Sequence, residues 1–451
     1  MAASSLHRRF LHASSVLLLL LLLLSLSPQP SIAQQPSFRP KSLILSVTKD
    51  PATRQYTTTL LHRTPPVPLT LLLHLGGDSL WVNCDQPYLS STYRPARCRS
   101  ALCSLAASTA CGDCFSTPRP TPGCNNNTCG IFPYNPITST STSGELATDV
   151  ISLNSTDGSN PGRSVSVPRF LFACAPSFLT RGLTPPSAGV AGLGRTRIAL
   201  PSQFAAAFSF PRKFAVCLGS SNGVVFFGNG PYNFLPNVQY TSQSLTYTRL
   251  LINPVSTAGS STAGEPSSEY FIPVTGINVG GKPVPNLNST LLSIDAATGR
   301  GGTKISTVDP YTVLESSIYA AVANAFVAAA GNVTRASAVA PFGFCFRTKG
   351  LTVTRLGYGV PTVELVMENG RVGLSLFGAN TMVQVSDDVA CLGFVDGGSS
   401  PRTAIVVGGY QLENNLVEFD LAGSRVGFSG LLFGRQTTCA NFNFTTSTTA
   451  A

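Results

Sequence analysis

An all-β chain divided into two lobes is predicted by three observations. Short runs rich in Val, Leu, Ile, Phe and Thr recur at close spacing, each bounded by Gly, Pro, Asn or Ser. Charged residues make up only 11% of the 451 positions against 41 Gly and 33 Pro, the composition of a turn-rich β protein. The 12 cysteines are uneven: Cys84, Cys98, Cys103, Cys111, Cys114, Cys124, Cys129 and Cys174 crowd the first part, while Cys217, Cys345, Cys391 and Cys439 are spread over the rest.

Taken in order, Arg8 and Arg9 precede an unbroken apolar run from Val16 to Leu24, and Ser31 and Ala33 then stand where a signal peptidase wants small residues. This predicts a signal peptide over 1–33. The run is too short for a spanning helix, and no later stretch approaches the roughly 20 apolar residues that crossing a bilayer needs. Strands are expected at Leu43 to Val47, Val165 to Ala173, Phe214 to Leu218 and Val224 to Phe227, and again at Val360 to Met367, Val372 to Leu376, Ala404 to Val407 and Val417 to Asp420. Helical periodicity is confined to Val313 to Ala330 and a shorter run from Leu200 to Phe208. The length allows two or three domains at roughly 150 residues each. The boundary is drawn in the turn-rich Gly230-Pro231-Tyr232, giving an N-terminal β lobe over 34–230, a C-terminal β lobe over 231–445 and a disordered tail over 446–451. Ser256 to Ser268 reads as an exposed loop.

Thirty Lys and Arg face 20 Asp and Glu. That excess suits an acidic partner surface or polymer, though taken alone it is better read as a solvated basic surface. An even number of cysteines in an oxidising compartment predicts six disulfides. Cys111 and Cys114 form a CxxC with no histidine nearby, so structural disulfides are preferred to a metal or redox site. Sequons at Asn126, Asn154, Asn288, Asn332 and Asn443 are candidate glycan acceptors. No cofactor or metal is expected, and neither nucleic acid nor membrane is an expected partner.

The segment Leu69 to Cys84 runs from an apolar strand through Gly76-Gly77 to Leu80-Trp81-Val82. It resembles the first active-site loop of pepsin-type aspartic peptidases, whose catalytic aspartate lies seven residues before a tryptophan; that position here is His74. Further matches follow in order. They are Ala188 to Gly194, Phe214 to Gly219 with Val224 to Gly228, Gly301-Gly302-Thr303 before Ile305, Val406 to Tyr410, Phe419-Asp420, and Arg425 to Phe428. Together they span nearly all of the chain after the signal segment. Leu75-Gly76-Gly77, Gly301 to Thr307, Pro341-Phe342-Gly343 before Cys345, and Thr437 to Phe442 narrow the likeness. They are similar to the plant extracellular group of xylanase inhibitors, extracellular dermal glycoproteins and basic 7S globulins. The resemblance implies a bilobal pepsin-like fold with an inter-lobe cleft, a few short helices and six disulfides. It also implies that some members block microbial xylan- or xyloglucan-degrading glycosidases while others store or bind peptides. Pairings are expected only for the later cysteines, Cys345 with Cys391 and Cys217 with Cys439.

Peptide hydrolysis on this fold needs two carboxyl groups that share one proton. The two positions are His74 and Ser306, and neither can serve. Asp78 comes four positions late and Asp309 three, and Tyr134-Asn135-Pro136 replaces the glycine-rich turn of active relatives. A Ser306–His74 nucleophile and base pair has no third residue to orient it and is set aside. His62 belongs to no constellation. The expected function is therefore inhibition of a secreted microbial glycoside hydrolase, with a storage role or binding of a peptide or cell-wall polysaccharide as the alternative. In the inhibitors the contacts come from two second-lobe loops, which fall here at Thr354-Arg355-Leu356-Gly357 and Leu432 to Gln436. Arg355 and Arg435 are the candidates, because a guanidinium matches the carboxylate pair of a glycosidase. Xylanase-blocking members use a histidine near the second position. None occurs after His74, which favours a xyloglucanase-type target.

Overall fold

The structure is a computed structural model that describes residues 38–85, 88–114, 120–256 and 265–445. The expected signal peptide over 1–33, the tail over 446–451 and most of the expected loop after Ser256 lie outside the described residues. Ser267 and Ser268, at that loop's end, are buried rather than exposed.

A large mixed sheet runs through both halves of the chain. Its middle strands explain the continuous apolar runs in the sequence, because alternate residues feed two different cores. From Ser42–Lys49, Leu43 and Leu45 enter the main core while Ile44 enters a second one. From Asn222–Gly228, Val225 and Phe227 take the first and Val224 and Phe226 the second. The same division separates Phe214 and Val216 from Ala215 and Cys217. Lys213–Cys217 then pairs antiparallel with Asn415–Asp420, Val216 opposite Val417, which joins the late strands to the first lobe. Phe214 and Phe419 stack across that seam with centroids 4.8 Å apart.

Two helices exceed eight residues among the described residues. Leu200–Phe208 lies where periodicity places it. The longer helix is Ser316–Ala330 and starts later than its pattern suggests. Val313 and Leu314 are drawn into a strand, facing Val406 and Ile405, and Glu315 then caps the helix by accepting from the N–H groups of Ser317 and Ile318. An apolar pattern reports which residues are buried, not which element buries them.

Six disulfides are formed: Cys84–Cys174, Cys98–Cys111, Cys103–Cys129, Cys114–Cys124, Cys217–Cys439 and Cys345–Cys391. The two cysteines of the CxxC take different partners, and no thiol is free.

Each half contains the same crossed arrangement of four strands. In the first, Val67–His74 runs parallel to Gly189–Gly192, which lies antiparallel to Trp81–Asn83, itself parallel to Pro161–Ala175. In the second, Thr303–Ile305, Ile405–Val407, Thr312–Leu314 and Phe394–Asp396 repeat that order and those directions. The registers superimpose the two. Trp81 faces Val190 and Ala173 as Val313 faces Val406 and Val395, and Leu73 faces Ala191 as Ile305 faces Val407. Both sets place a loop at the seam between the lobes.

Candidate functional site

One step beyond those matched registers, His74 and Ser306 occupy equivalent positions at the tips of the two loops. Each loop is braced by a glycine that no other residue could replace. A Cβ at Gly192 would lie 2.3 Å from the Ser79 oxygen, and one at Gly408 would lie 2.2 Å from the Tyr311 carbonyl carbon. The loops are also tied to each other. The Thr307 hydroxyl donates to the Leu73 carbonyl at 2.7 Å and accepts from the Leu75 N–H at 3.1 Å. Its equivalent in the first loop is Leu75, so the reciprocal pair of bonds is absent and the tie is one-sided.

The chemistry at the tips is not that of a carboxyl dyad. His74 is buried, and burial pushes its imidazole down to about 4 from 6.5, the Glu269 carboxylate pulling the other way and the Lys304 ammonium adding to the depression. It therefore resists protonation until well below the usual imidazole range. Beside it, Lys304 Nζ and Glu269 Oε1 form a partly buried ion pair at 2.7 Å. Burial disfavours the Lys304 charge, but the Glu269 carboxylate outweighs it and holds that ammonium above its ordinary value. Glu269 lies directly against the first loop: a Cβ at Gly76 would come 2.6 Å from its Cγ. Ser268 donates to the Gly76 carbonyl at 2.7 Å.

Ser306 is fully engaged within its own loop. Its hydroxyl donates to Asp309 Oδ2 at 2.7 Å and accepts from the N–H groups of Val308 and Asp309 at 3.1 and 3.2 Å. Asp78 is exposed beyond the first loop. The Tyr134–Asn135 strand that approaches the cleft is pinned. Trp81 Nε1 donates to the Tyr134 carbonyl at 2.9 Å, and the buried Asn135 amide donates to the carbonyls of Leu179 and Arg181.

The two arginine loops come together elsewhere on the second lobe. Arg355 stands exposed at the turn of the Val353–Thr354 and Gly357–Tyr358 hairpin. It shares an open depression of about 330 Å³ with Phe433, Gln436, Thr437 and Thr438. Arg435, also exposed, does not line that depression; its guanidinium lies over the Tyr240 ring, 4.9 Å from the centroid. Of the sequons, Asn126, Asn288 and Asn332 are exposed, whereas Asn154 and Asn443 are half-buried.

Lys304 and Glu269 are site residues that sequence reasoning missed. Lys304 was legible, since a lysine inside an apolar strand demands a partner; Glu269 carried no signal. His62 is not isolated either. It is buried with its Nε2 3.3 Å from the Tyr88 hydroxyl, which donates to Asp149 Oδ2 at 2.9 Å. Burial lowers this imidazole to about 4, against the pull of Asp149 and with a push from Arg63.

Comparison with known proteins agrees with the geometry. The family described as xylanase inhibitor N-terminal matches residues 56–229, and that described as xylanase inhibitor C-terminal matches residues 269–430. A probable aspartic proteinase GIP2 of Nicotiana benthamiana is 61% identical over 91% of this chain and 93% of its own. Gamma conglutin 1 of Prunus dulcis is 42% identical over 99% of both chains. The crystal structure of edgp superposes with a TM-score of 0.89 at 60% identity, covering 91% of this chain and 100% of the other. An aspartic proteinase from Irpex lacteus, 16% identical with a TM-score of 0.53 over 88% of this chain and 99% of its own, shares the fold. With that architecture in both lobes and family matches across both halves, the chain belongs to the pepsin-like plant family of xylanase-inhibitor type.

Proposed function

We propose that this protein is a catalytically inactive, exported glycoprotein that binds a secreted microbial glycoside hydrolase and blocks its cleft. The observation that carries the reading is the convergence of the Arg355 hairpin and the 433–438 segment around one open depression, with Arg355 and Arg435 both exposed. Retaining and inverting glycosidases hydrolyse with two carboxylates flanking an open cleft, and a guanidinium is the side chain that meets a carboxylate with two parallel donors. Phe433 and Thr438 give the same face apolar and hydroxyl contacts. Similarity to a family described as xylanase inhibitors supports the partner class. A xyloglucan-specific endoglucanase is preferred to a xylanase, because no histidine follows His74. Six disulfides support export.

Peptidase activity is excluded from the proposal on chemical grounds. The fold's reaction needs one proton shared between two carboxyls, and the loop tips carry His74 and Ser306 instead. The acids beside them are already committed, Glu269 to Lys304 and Asp309 to the Ser306 hydroxyl.

The test is incubation with a panel of microbial xyloglucan-specific endoglucanases and xylanases. Inhibition of at least one is expected. Arg355→Ala and Arg435→Ala should each weaken it at least about tenfold, since truncating one partner of a desolvated charge pair removes on the order of 2–5 kcal/mol. Inhibition constants unchanged in both variants would move the contact to another surface. Inhibition of no enzyme in the panel would favour a storage or peptide- and polysaccharide-binding role, the reading suggested by likeness to gamma conglutin and to basic 7S globulin of Glycine max.

A further inference from the structure

A second depression, of about 280 Å³, opens at the seam between the lobes. Arg195, Thr196 and Arg212 come from the first lobe. Ile252, Pro266, Ser267, Ser268 and Leu421 complete the lining from the second half of the chain. Arg195 is half-buried, and among the described residues the only hydrogen bond of its guanidinium runs from Nη1 to the Leu251 carbonyl at 2.9 Å. Arg212 is exposed and makes one long bond, from Nη2 to the Leu421 carbonyl at 3.5 Å. Most of the five donors on each guanidinium thus have no acceptor among the described residues.

The charge balance is the informative part. Two guanidinium groups face one small depression, and neither forms an ion pair. Every Asp and Glu of the chain lies among the described residues, and the 257–264 segment carries no charged side chain. Asp78 and Glu265 are the nearby acids, and they leave both arginines unpaired. Burial and the neighbouring Arg212 charge disfavour the Arg195 cation, opposed only by Tyr270. Two like charges in a partly desolvated pocket repel each other, and a bound anion relieves both the repulsion and the lost hydration.

We infer that this pocket binds a doubly charged tetrahedral oxyanion, a phosphate or sulfate group, between Arg195 and Arg212. Two cations with no ion-pair partner among the described residues match a dianion better than a single carboxylate, and the guanidinium fork fits its oxygens. The apolar rim of Ile252, Pro266 and Leu421 has room for the organic part of a monoester. Because the lining comes from both lobes, the anion would also tie them together. This site is independent of the Arg355 surface.

The experiment is titration of the whole protein with inorganic phosphate, inorganic sulfate, phenyl phosphate and acetate at constant ionic strength, set by chloride. Calorimetry and the melting temperature are the readouts. Saturable binding of phosphate or sulfate with a rise in melting temperature is expected, with acetate at least about tenfold weaker. Tighter binding of phenyl phosphate than of phosphate would assign the natural ligand to esters, and the reverse to the free anion. Arg212→Gln, on an exposed side chain, should weaken binding at least about tenfold without lowering the unliganded melt, and Arg195→Gln should weaken binding likewise where it folds. No saturable heat or melting shift beyond chloride would overturn the inference, as would equal affinity for acetate or unchanged binding in Arg212→Gln.

Discussion

His74 makes the acid side of the stability profile a direct reading of the altered cleft. Its imidazole titrates near 4 in the folded protein against 6.5 when exposed, with burial as the main cause. A depressed folded value means that the unfolded chain takes up a proton which the folded chain refuses. This contribution to stability is therefore complete above about pH 6.5 and lost as pH falls toward 4. The gap corresponds to about 3 kcal/mol. His74→Gln keeps a polar side chain of similar reach and abolishes the titration. Equilibrium urea unfolding with disulfides intact, repeated from pH 7.5 to 4, gives the difference between wild type and variant. His62 shifts in the same direction and is present in both proteins, so it does not contribute to the difference. The variant should gain about 3 kcal/mol relative to wild type across the window. Two profiles that stay parallel from pH 7.5 to 4 would refute the burial argument, and a His74 ring resonance titrating near 6.5 would do so independently.

Thr307→Val preserves shape but leaves the Leu73 carbonyl and Leu75 N–H buried and unpaired, so unfolding free energy should fall by about 2–3 kcal/mol; a loss below about 1 kcal/mol would mean that water replaces the hydroxyl. Replacing His74 and Ser306 together by Asp should not create a peptidase, because Lys304 beside the site favours ionisation of both carboxyls and prevents the shared proton; pepstatin-sensitive turnover in that double variant would contradict this. Glycopeptide mapping should find sugar at the exposed Asn126, Asn288 and Asn332, and none at Asn154, which is half-buried in the Gly144–Thr156 strand opposite Ser164; a glycan at Asn154 would require that strand to be modified before it pairs.

The β architecture was legible because the runs bounded by Gly, Pro and Asn are strands, and the continuous apolar ones at Val224 to Phe227 and Phe214 to Leu218 are central strands with a core on each face. The boundary of the long helix was not legible. Val313 and Leu314 fit both its periodicity and the strand that claims them, and only Val406 and Ile405, far along the chain, decide between the two. The same limit applies to the cleft. His74 and Ser306 follow from local spacing around Trp81 and Gly301-Gly302-Thr303. Glu269, which pairs with Lys304 and lies against Gly76, is brought there by the Tyr270–Ile272 strand through its pairing with Thr303–Ile305. The Arg195–Arg212 pocket is the extreme case, since its lining comes from distant segments and each arginine alone reads as a surface charge.

The geometry also explains why an altered cleft can keep its scaffold. A catalytic dyad is two carboxyls held at contact distance, an arrangement that opposes folding whenever both ionise. What holds the loops is separate from it: the close-packed glycines Gly192 and Gly408 and the Thr307 hydroxyl that spans from one lobe to the other. Replacing the carboxyls by a neutral His74 and a Ser306 satisfied within its own loop removes the repulsion and leaves the braces in place. The fold therefore does not depend on a carboxyl pair at the loop tips, and the Arg355 hairpin and the segment carrying Phe433 stand apart from those braces.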